Sequence, residues 1–199
     1  MVESLVRMDI TLLNFLRSFI NPDSPIQVKL IHTGADIEVM LVMLVLVGLW
    51  LYGVYKKDNQ PKVDALMMLY SIGFGFFIYV VLNLGLPFRP RPETVSVIRP
   101  LVDHLPDNSF PSGHAIFAGA SMLAAFFYTR RWIAYILLVT GIIMVFSRVL
   151  AGVHYPGDIL VGYVIGLIGS YGVYRLRNQK FITQFLLVLP VKIATFFKL

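Results

Sequence analysis

The sequence predicts an all-α fold: a polytopic membrane helical bundle of about five to six transmembrane helices with an N-terminal interfacial helix. Three observations predict it. Of 199 residues, 57% are hydrophobic and 14% charged, and the mean hydropathy is +0.75. A soluble domain of this size cannot hide so much apolar surface in one core, so the excess faces lipid. The apolar residues fall in stretches of about 20, the length a helix needs to cross the hydrocarbon, and short basic turns separate them. Little chain remains for anything soluble, so residues 1–199 are read as a single integral membrane domain. The absence of cysteine excludes disulfides, thiolate zinc sites and cysteine nucleophiles. The formal charge of +6 suits a protein among anionic lipids, the expected partner being the bilayer rather than nucleic acid or an obligatory protein.

Residues 8–20 are apolar at helical spacing, but Asp9, Asn14 and Arg17 interrupt them, and Asn21-Pro22-Asp23 ends them. That is too short and too polar to span, so it reads as an amphipathic helix in the interface. Glu3 and Asp9, with no small-residue cleavage site, argue against a cleavable signal peptide. A first span is expected from about Asp36 to Tyr55, stopped by Lys56-Lys57-Asp58, and a second from about Val63 to Leu86, stopped by Pro87. Residues 87–110, polar and rich in Pro and Arg, form the longest loop. Spans follow at roughly 113–129, 132–150 and 157–174. The stretch from Phe181 to Leu199 contains Pro190 and Lys192, and it either spans or dips.

If the spans alternate, the basic turns at 56–62, 130–131 and 175–180 share one face, which the positive-inside rule makes cytoplasmic. The opposite face receives residues 87–112 and 147–157 and yet carries Arg89, Arg91, Arg99 and Arg148. Arginines on the disfavoured side need a reason, and a bound anion supplies one. The expected active site therefore lies at the extracytoplasmic face of a cell membrane.

Three segments meet there. Arg89-Pro90-Arg91-Pro92 offers guanidinium forks on a proline-stiffened backbone, suited to phosphate oxygens; alone it also reads as a snorkelling membrane edge. Pro111-Ser112-Gly113-His114 opens a long helix. Ser112 is a good N-cap, but a helix N-terminus also offers free N–H groups and partial positive charge to a phosphate. Gly113 permits close approach, and His114 would lie beside the anion as a general acid. The third segment is Ser147-Arg148, five residues, His154, three residues, Asp158. A helix break at Tyr155-Pro156-Gly157 places Asp158 in the next first turn, from which its carboxylate can reach one imidazole nitrogen and leave the other as a nucleophile. Taken singly, such a pair is as often structural. Together, two histidines, arginines and a helix N-terminus on one face are what phosphoryl transfer without a metal requires. Glu93, Asp103, Asp107 and Asp158 form no pair with metal-ligand spacing, and no metal or other cofactor is expected. His32 is read as an interfacial polar residue and His104 as a structural residue of the outer loop.

These blocks resemble the type-2 phosphatidic acid phosphatase family, which shares its site with vanadium haloperoxidases. The family pattern is Lys, six residues, Arg-Pro; Pro-Ser-Gly-His; then Ser-Arg, five residues, His, three residues, Asp. The second and third blocks match at every defined position, and the resemblance covers roughly residues 36–176, taken as the catalytic core. It implies phosphate binding by Arg91, Ser112, Gly113 and Arg148, a general acid in His114, a nucleophile in His154 and an orienting partner in Asp158. The first block departs from the pattern: Leu84 stands where it has Lys, which implies a changed phosphate pocket, lower activity or compensation by Arg89, and Arg89 is expected to supply part of the missing charge.

The resemblance implies a membrane lipid phosphatase working through a phosphohistidine. The small size resembles the phosphatidylglycerophosphate phosphatase B group and makes phosphatidylglycerophosphate the first expected substrate. Undecaprenyl diphosphate, in carrier-lipid recycling, is the alternative. A transporter or lipid flippase is disfavoured, because such proteins put ionisable groups near the midplane and show repeated halves, neither of which is visible here. A metal-free mechanism predicts that phosphate release survives EDTA; loss of most turnover in chelator, restored by Mg²⁺ or Mn²⁺, would contradict it.

Overall fold

The computed structural model describes residues 2–95, 98–103, 108–180 and 182–196, and these are helical with connecting turns. His104 and Asp107 lie outside the described residues. Helix α1 runs Val2–Arg17, α2 Pro25–Lys56, α3 Gln60–Asn83, and a single turn, α4, Pro92–Val95. Helices α5 (Gly113–Tyr128), α6 (Arg131–Leu150) and α7 (Pro156–Leu176) follow, then a π-helical segment Ile182–Val188 and α8, Leu189–Phe196. Among the described residues, α2, α3, α6 and α7 are long and apolar enough to cross a membrane, and α5 is apolar but shorter. The chain is a multi-pass membrane protein. The segment after Phe181 forms a bent, two-part helix rather than one of spanning length.

Helix α2 begins well before the expected Asp36. The Ser24-Pro25 start sets it, with proline in the first turn. Its 32 residues make a rod of about 48 Å at 1.5 Å per residue, longer than the ~30 Å hydrocarbon core. The apolar run from Asp36 marks entry into lipid, not the start of the helix. Helix α5 is the opposite case. Its 16 residues reach only about 24 Å, short of the ~30 Å hydrocarbon core.

Small residues bring α5, α7 and α3 together. A methyl group on Gly166 would collide with the Ile116 carbonyl, and one on Gly119 with the Tyr163 carbonyl. A methyl on Gly162 would lie 2.5 Å from the Ser112 carbonyl, and one on Gly169 2.8 Å from Gly75. In lipid there is no hydrophobic drive between helices, and such close backbone approach supplies the packing. Because α5 and α7 run parallel, the stripe also seats their two N-termini side by side: Ser112 N–H donates to the Asp158 carbonyl at 3.1 Å. A buried polar clip adds to this, Ser121 Oγ donating to Glu38 of α2 at 2.8 Å, with Gly141 leaving room for the carboxylate. The basic turns after α2, α5 and α7 then fall at the end of the bundle away from Ser112.

This packing predicts a contrast between two glycines. Gly166→Ala forces overpacking against α5 and is expected to cost about 1–3 kcal/mol, read as lower thermal stability in detergent. Gly48→Ala, whose methyl meets nothing within 4 Å, is expected to be neutral or slightly stabilising.

Candidate active site

At the Ser112 end, a cavity of about 540 Å³ opens among α2, α3, α5 and the ends of α6 and the loops. Arg91, Gly113, His114, Arg148 and His154 line it, so five of the eight expected site residues share one space. Phe76, Tyr79 and Phe117 continue the wall toward the apolar part of the bundle. A larger groove of about 720 Å³ runs along α2 and α6 at the opposite end, lined mainly by aliphatic and aromatic side chains.

His154 is buried in the turn between α6 and α7. Its Nδ1 lies 3.0 Å from the Ser109 carbonyl, and its Nε2 lies 3.2 Å from Arg91 Nη1. A carbonyl only accepts and a guanidinium only donates, so the partners select the tautomer: Nδ1 carries the proton, and the Nε2 lone pair accepts from Arg91, beside it in the cavity lining. Arg91 is pinned by a second bond from Nη1 to the Val153 carbonyl at 2.7 Å.

Asp158 sits behind the histidine in the first turn of α7, as expected, but its reach differs. Its Oδ2 is 3.7 Å from His154 Nδ1, so the carboxylate acts on the ring by charge while the Ser109 carbonyl takes the proton. Oδ2 itself accepts from Ser109 Oγ at 2.6 Å and from Tyr155 N–H at 2.9 Å. Oδ1 accepts from Arg89 Nη1 at 2.6 Å. Asp158 thereby fixes the serine whose carbonyl orients the ring.

Ser112 occupies the N-cap position of α5, but its side chain does not cap. Its hydroxyl is buried with no hydrogen-bond partner, one residue before the cavity-lining Gly113. A buried hydroxyl left unsatisfied costs free energy, and an anion at the α5 N-terminus would satisfy it.

Arg89 is not in the cavity. Its guanidinium bridges Asp158 and Asp9, the latter at 2.6 Å, and stacks 4.1 Å over the Tyr155 ring. The expectation that it supplies a phosphate-binding charge does not fit this position. Arg89 is taken up by Asp158 and Asp9, and Arg91 is the arginine of this segment that lines the cavity. Leu84, at the end of α3, is 85% exposed and lies outside the cavity lining. Arg99 is exposed and also lies outside the lining, as does the exposed His32.

Four residues that sequence reasoning missed complete the arrangement. Asp36 of α2 lines the cavity with Oδ1 3.6 Å from His114 Nε2. Asn108 accepts from Arg89 N–H at 2.9 Å and from Phe110 N–H at 3.2 Å, shaping the turn that presents Ser109. Asp9, on α1, is the fourth. None left a signal of this role: in the sequence Asp9 is one of three polar interruptions, with Asn14 and Arg17, of an interfacial helix.

Burial pushes the His154 imidazole below its ordinary value; Asp158 opposes this, and Arg91 and Arg148 reinforce it. The ring is thus neutral at and somewhat below the pH where a free imidazole would protonate.

Fold and comparisons together define the class, an integral membrane phosphatase of lipid phosphates. The chain belongs to the PAP2 superfamily, whose family profile matches residues 64–182. It is 28% identical over 143 residues, 72% of this chain and 71% of the relative, to "Undecaprenyl-diphosphatase BcrC" of Bacillus subtilis. It is 29% identical over 147 residues, 69% of this chain and 66% of the relative, to "Phosphatidylglycerophosphatase B" of the same organism. The fold matches the crystal structure of Aquifex aeolicus LpxE with a TM-score of 0.68 at 20% identity, covering 83% of this chain and 94% of that one.

The depressed imidazole sets the pH profile. Protonation of His154 removes the lone pair, so turnover should fall only as pH drops below the usual imidazole range. Asp158→Asn removes the influence that raises the value and should move this acid limb lower still. It should also cost on the order of 10³–10⁴ in kcat, as loss of an orienting carboxylate does elsewhere. An acid limb that stays in place in this variant would separate Asp158 from the nucleophile.

Proposed function

We propose that the chain hydrolyses the terminal phosphate of a membrane lipid at the extracytoplasmic face of a cell membrane, through a phosphohistidine on His154. The observation that carries the reading is the His154 ring, its Nδ1 held by the Ser109 carbonyl and its Nε2 facing a cavity with Arg91 and Arg148. Nε2 attacks phosphorus, and the P–O bond to the lipid breaks. The leaving oxygen takes a proton from His114, which faces the same cavity. Water then attacks the phosphohistidine with His114 accepting its proton, which releases phosphate and restores Nε2. The arginines, the Ser112 hydroxyl and the α5 N–H groups hold the phosphoryl oxygens through both steps. Among the described residues no three His or carboxylate side chains gather as metal ligands.

Two substrates have support. The Bacillus subtilis relative named an undecaprenyl-diphosphatase supports a polyprenyl diphosphate, and the one named phosphatidylglycerophosphatase B supports phosphatidylglycerophosphate. Both present a terminal phosphate at the membrane surface, and the site chemistry is common to them. The arginines opposite the basic turns support the extracytoplasmic placement.

The test is phosphate release by the purified protein from undecaprenyl diphosphate, phosphatidylglycerophosphate and phosphatidic acid, compared with nitrophenyl phosphate. His154→Ala should abolish release from all four. His114→Ala should cost about 10²–10⁴ on the alkyl esters, whose alkoxide needs a proton, and much less on the diphosphate and the nitrophenyl ester, whose leaving groups are weak bases. No release from any lipid by the unmodified protein would overturn the reading, and equal losses on all substrates in His114→Ala would overturn the role of that residue.

A further inference from the structure

Helix α1 does more than lie at the interface. Asp9, Leu13 and Arg17 recur every four residues, which places them on one helical face, and that face meets the catalytic segment. Leu13 is buried against Val149 and Tyr155. Arg17 Nη2 donates to the Arg99 carbonyl at 3.1 Å, and its guanidinium packs on Gly152, where φ is +80° and a methyl would collide with it. The remaining surface is exposed and mixed, Met8, Leu12 and Phe15 lying among Arg7, Thr11 and Asn14.

Asp9 makes two connections at once. Its Oδ1 accepts the Gly157 N–H at 2.8 Å, one of the unpaired donors in the first turn of α7, so a carboxylate from another helix caps the helix that carries Asp158. Its Oδ2 accepts from Arg89 Nη2 at 2.6 Å, while Arg89 Nη1 donates to Asp158 Oδ1 at 2.6 Å. The chain of contacts is Asp9, Arg89, Asp158, Ser109 and His154.

Building on the phosphohistidine reading, we infer that Asp9 is a positioning residue of the active site, holding Arg89 and the start of α7 so that Asp158 and His154 keep their geometry. Charge explains why a second carboxylate is needed. Arg89 alone would neutralise Asp158. With Asp9 the group of three carries one net negative charge behind the ring, while Arg91 and Arg148 stand in front and Asp36, Asp103 and His114 lie across the cavity. That negative charge stabilises the positive imidazole ring formed when Nε2 bonds to phosphorus. The N-terminal helix, which lies outside the three motif segments, thereby becomes part of the catalytic support.

The experiment uses the full-length protein with Asp9→Asn, Asp9→Ala, Arg89→Ala and the double variant Asp9→Ala/Arg89→Ala. Asp9→Asn should lower kcat on a lipid phosphate about 10- to 100-fold, the scale on which a small misplacement of a reacting group acts, with KM nearly unchanged. In the Arg89→Ala background, Asp9→Ala should cost less than it does alone, because the shared bridge is already gone and only the Gly157 cap remains to be lost. If Arg89→Ala does not fold, Arg89→Lys closes the cycle. A second readout needs no turnover: in ¹⁵N-histidine NMR, Asp9→Asn should shift the His154 titration to lower pH and leave that of His114 in place. Fully additive kinetic losses overturn the proposal, as does a His154 resonance indifferent to Asp9. If the unmodified protein releases no lipid phosphate while His154 still responds to Asp9, the functional reading fails and the positioning role stands.

Discussion

Asp158 has no exposed surface, and a buried carboxylate is stable only where charge and hydrogen bonds replace the water it has lost. Its partners come from three separate parts of the chain. Tyr155 N–H belongs to its own turn, Ser109 to the loop before α5, and Arg89 to the segment after α3. Removing it would leave a guanidinium, a hydroxyl and an N–H unsatisfied together, and would release the loop whose carbonyl holds the His154 ring. The architecture around the site can be read as the means of bringing those donors to one carboxylate.

The glycine stripe of α7 is the means that acts at longest range. Gly162 and Gly166 let α5 approach at backbone distance, which fixes Ser112 beside Asp158 and sets the depth of the α5 N-terminus. A bulkier interface would push the two helix starts apart and separate Ser112 and Gly113 from Asp158 and the turn that holds His154. Packing within the bilayer and chemistry at its edge are therefore one constraint, since the residues that allow close helix contact also align the reacting groups.

What was legible in the sequence was whatever chemistry imposes at short spacing. His154 and Asp158 are four residues apart because one helix break must join them, and Ser112-Gly113-His114 must open a helix, so both blocks could be read directly. The bundle was legible because lipid tolerates only long apolar helices, although apolarity marked the hydrocarbon boundary of α2 and not its first residue. Asp9, Asp36 and Ser109 were not legible. Each reaches the site through tertiary packing from an element whose local pattern has its own explanation: an amphipathic helix, the start of a span, a turn. Arg89 and Arg91 were indistinguishable for a related reason. Sequence shows two arginines beside prolines, and only the path of the backbone decides which one faces phosphate and which one faces Asp158.

The two cavity arginines create a conflict that substrate itself resolves. They are needed to hold a dianion, yet with burial they oppose positive charge on His154. In the empty site this is useful, since it keeps Nε2 unprotonated and ready to attack. During attack the ring must become cationic, and the same arginines would then resist the reaction. A bound phosphate carries about two negative charges, which offset Arg91 and Arg148 at that moment. What remains next to the ring is Asp158, held from behind, whose charge favours the cationic state. In the proposed mechanism His154 is thus kept neutral until a phosphate arrives, whose charge then shifts the field toward the cationic ring.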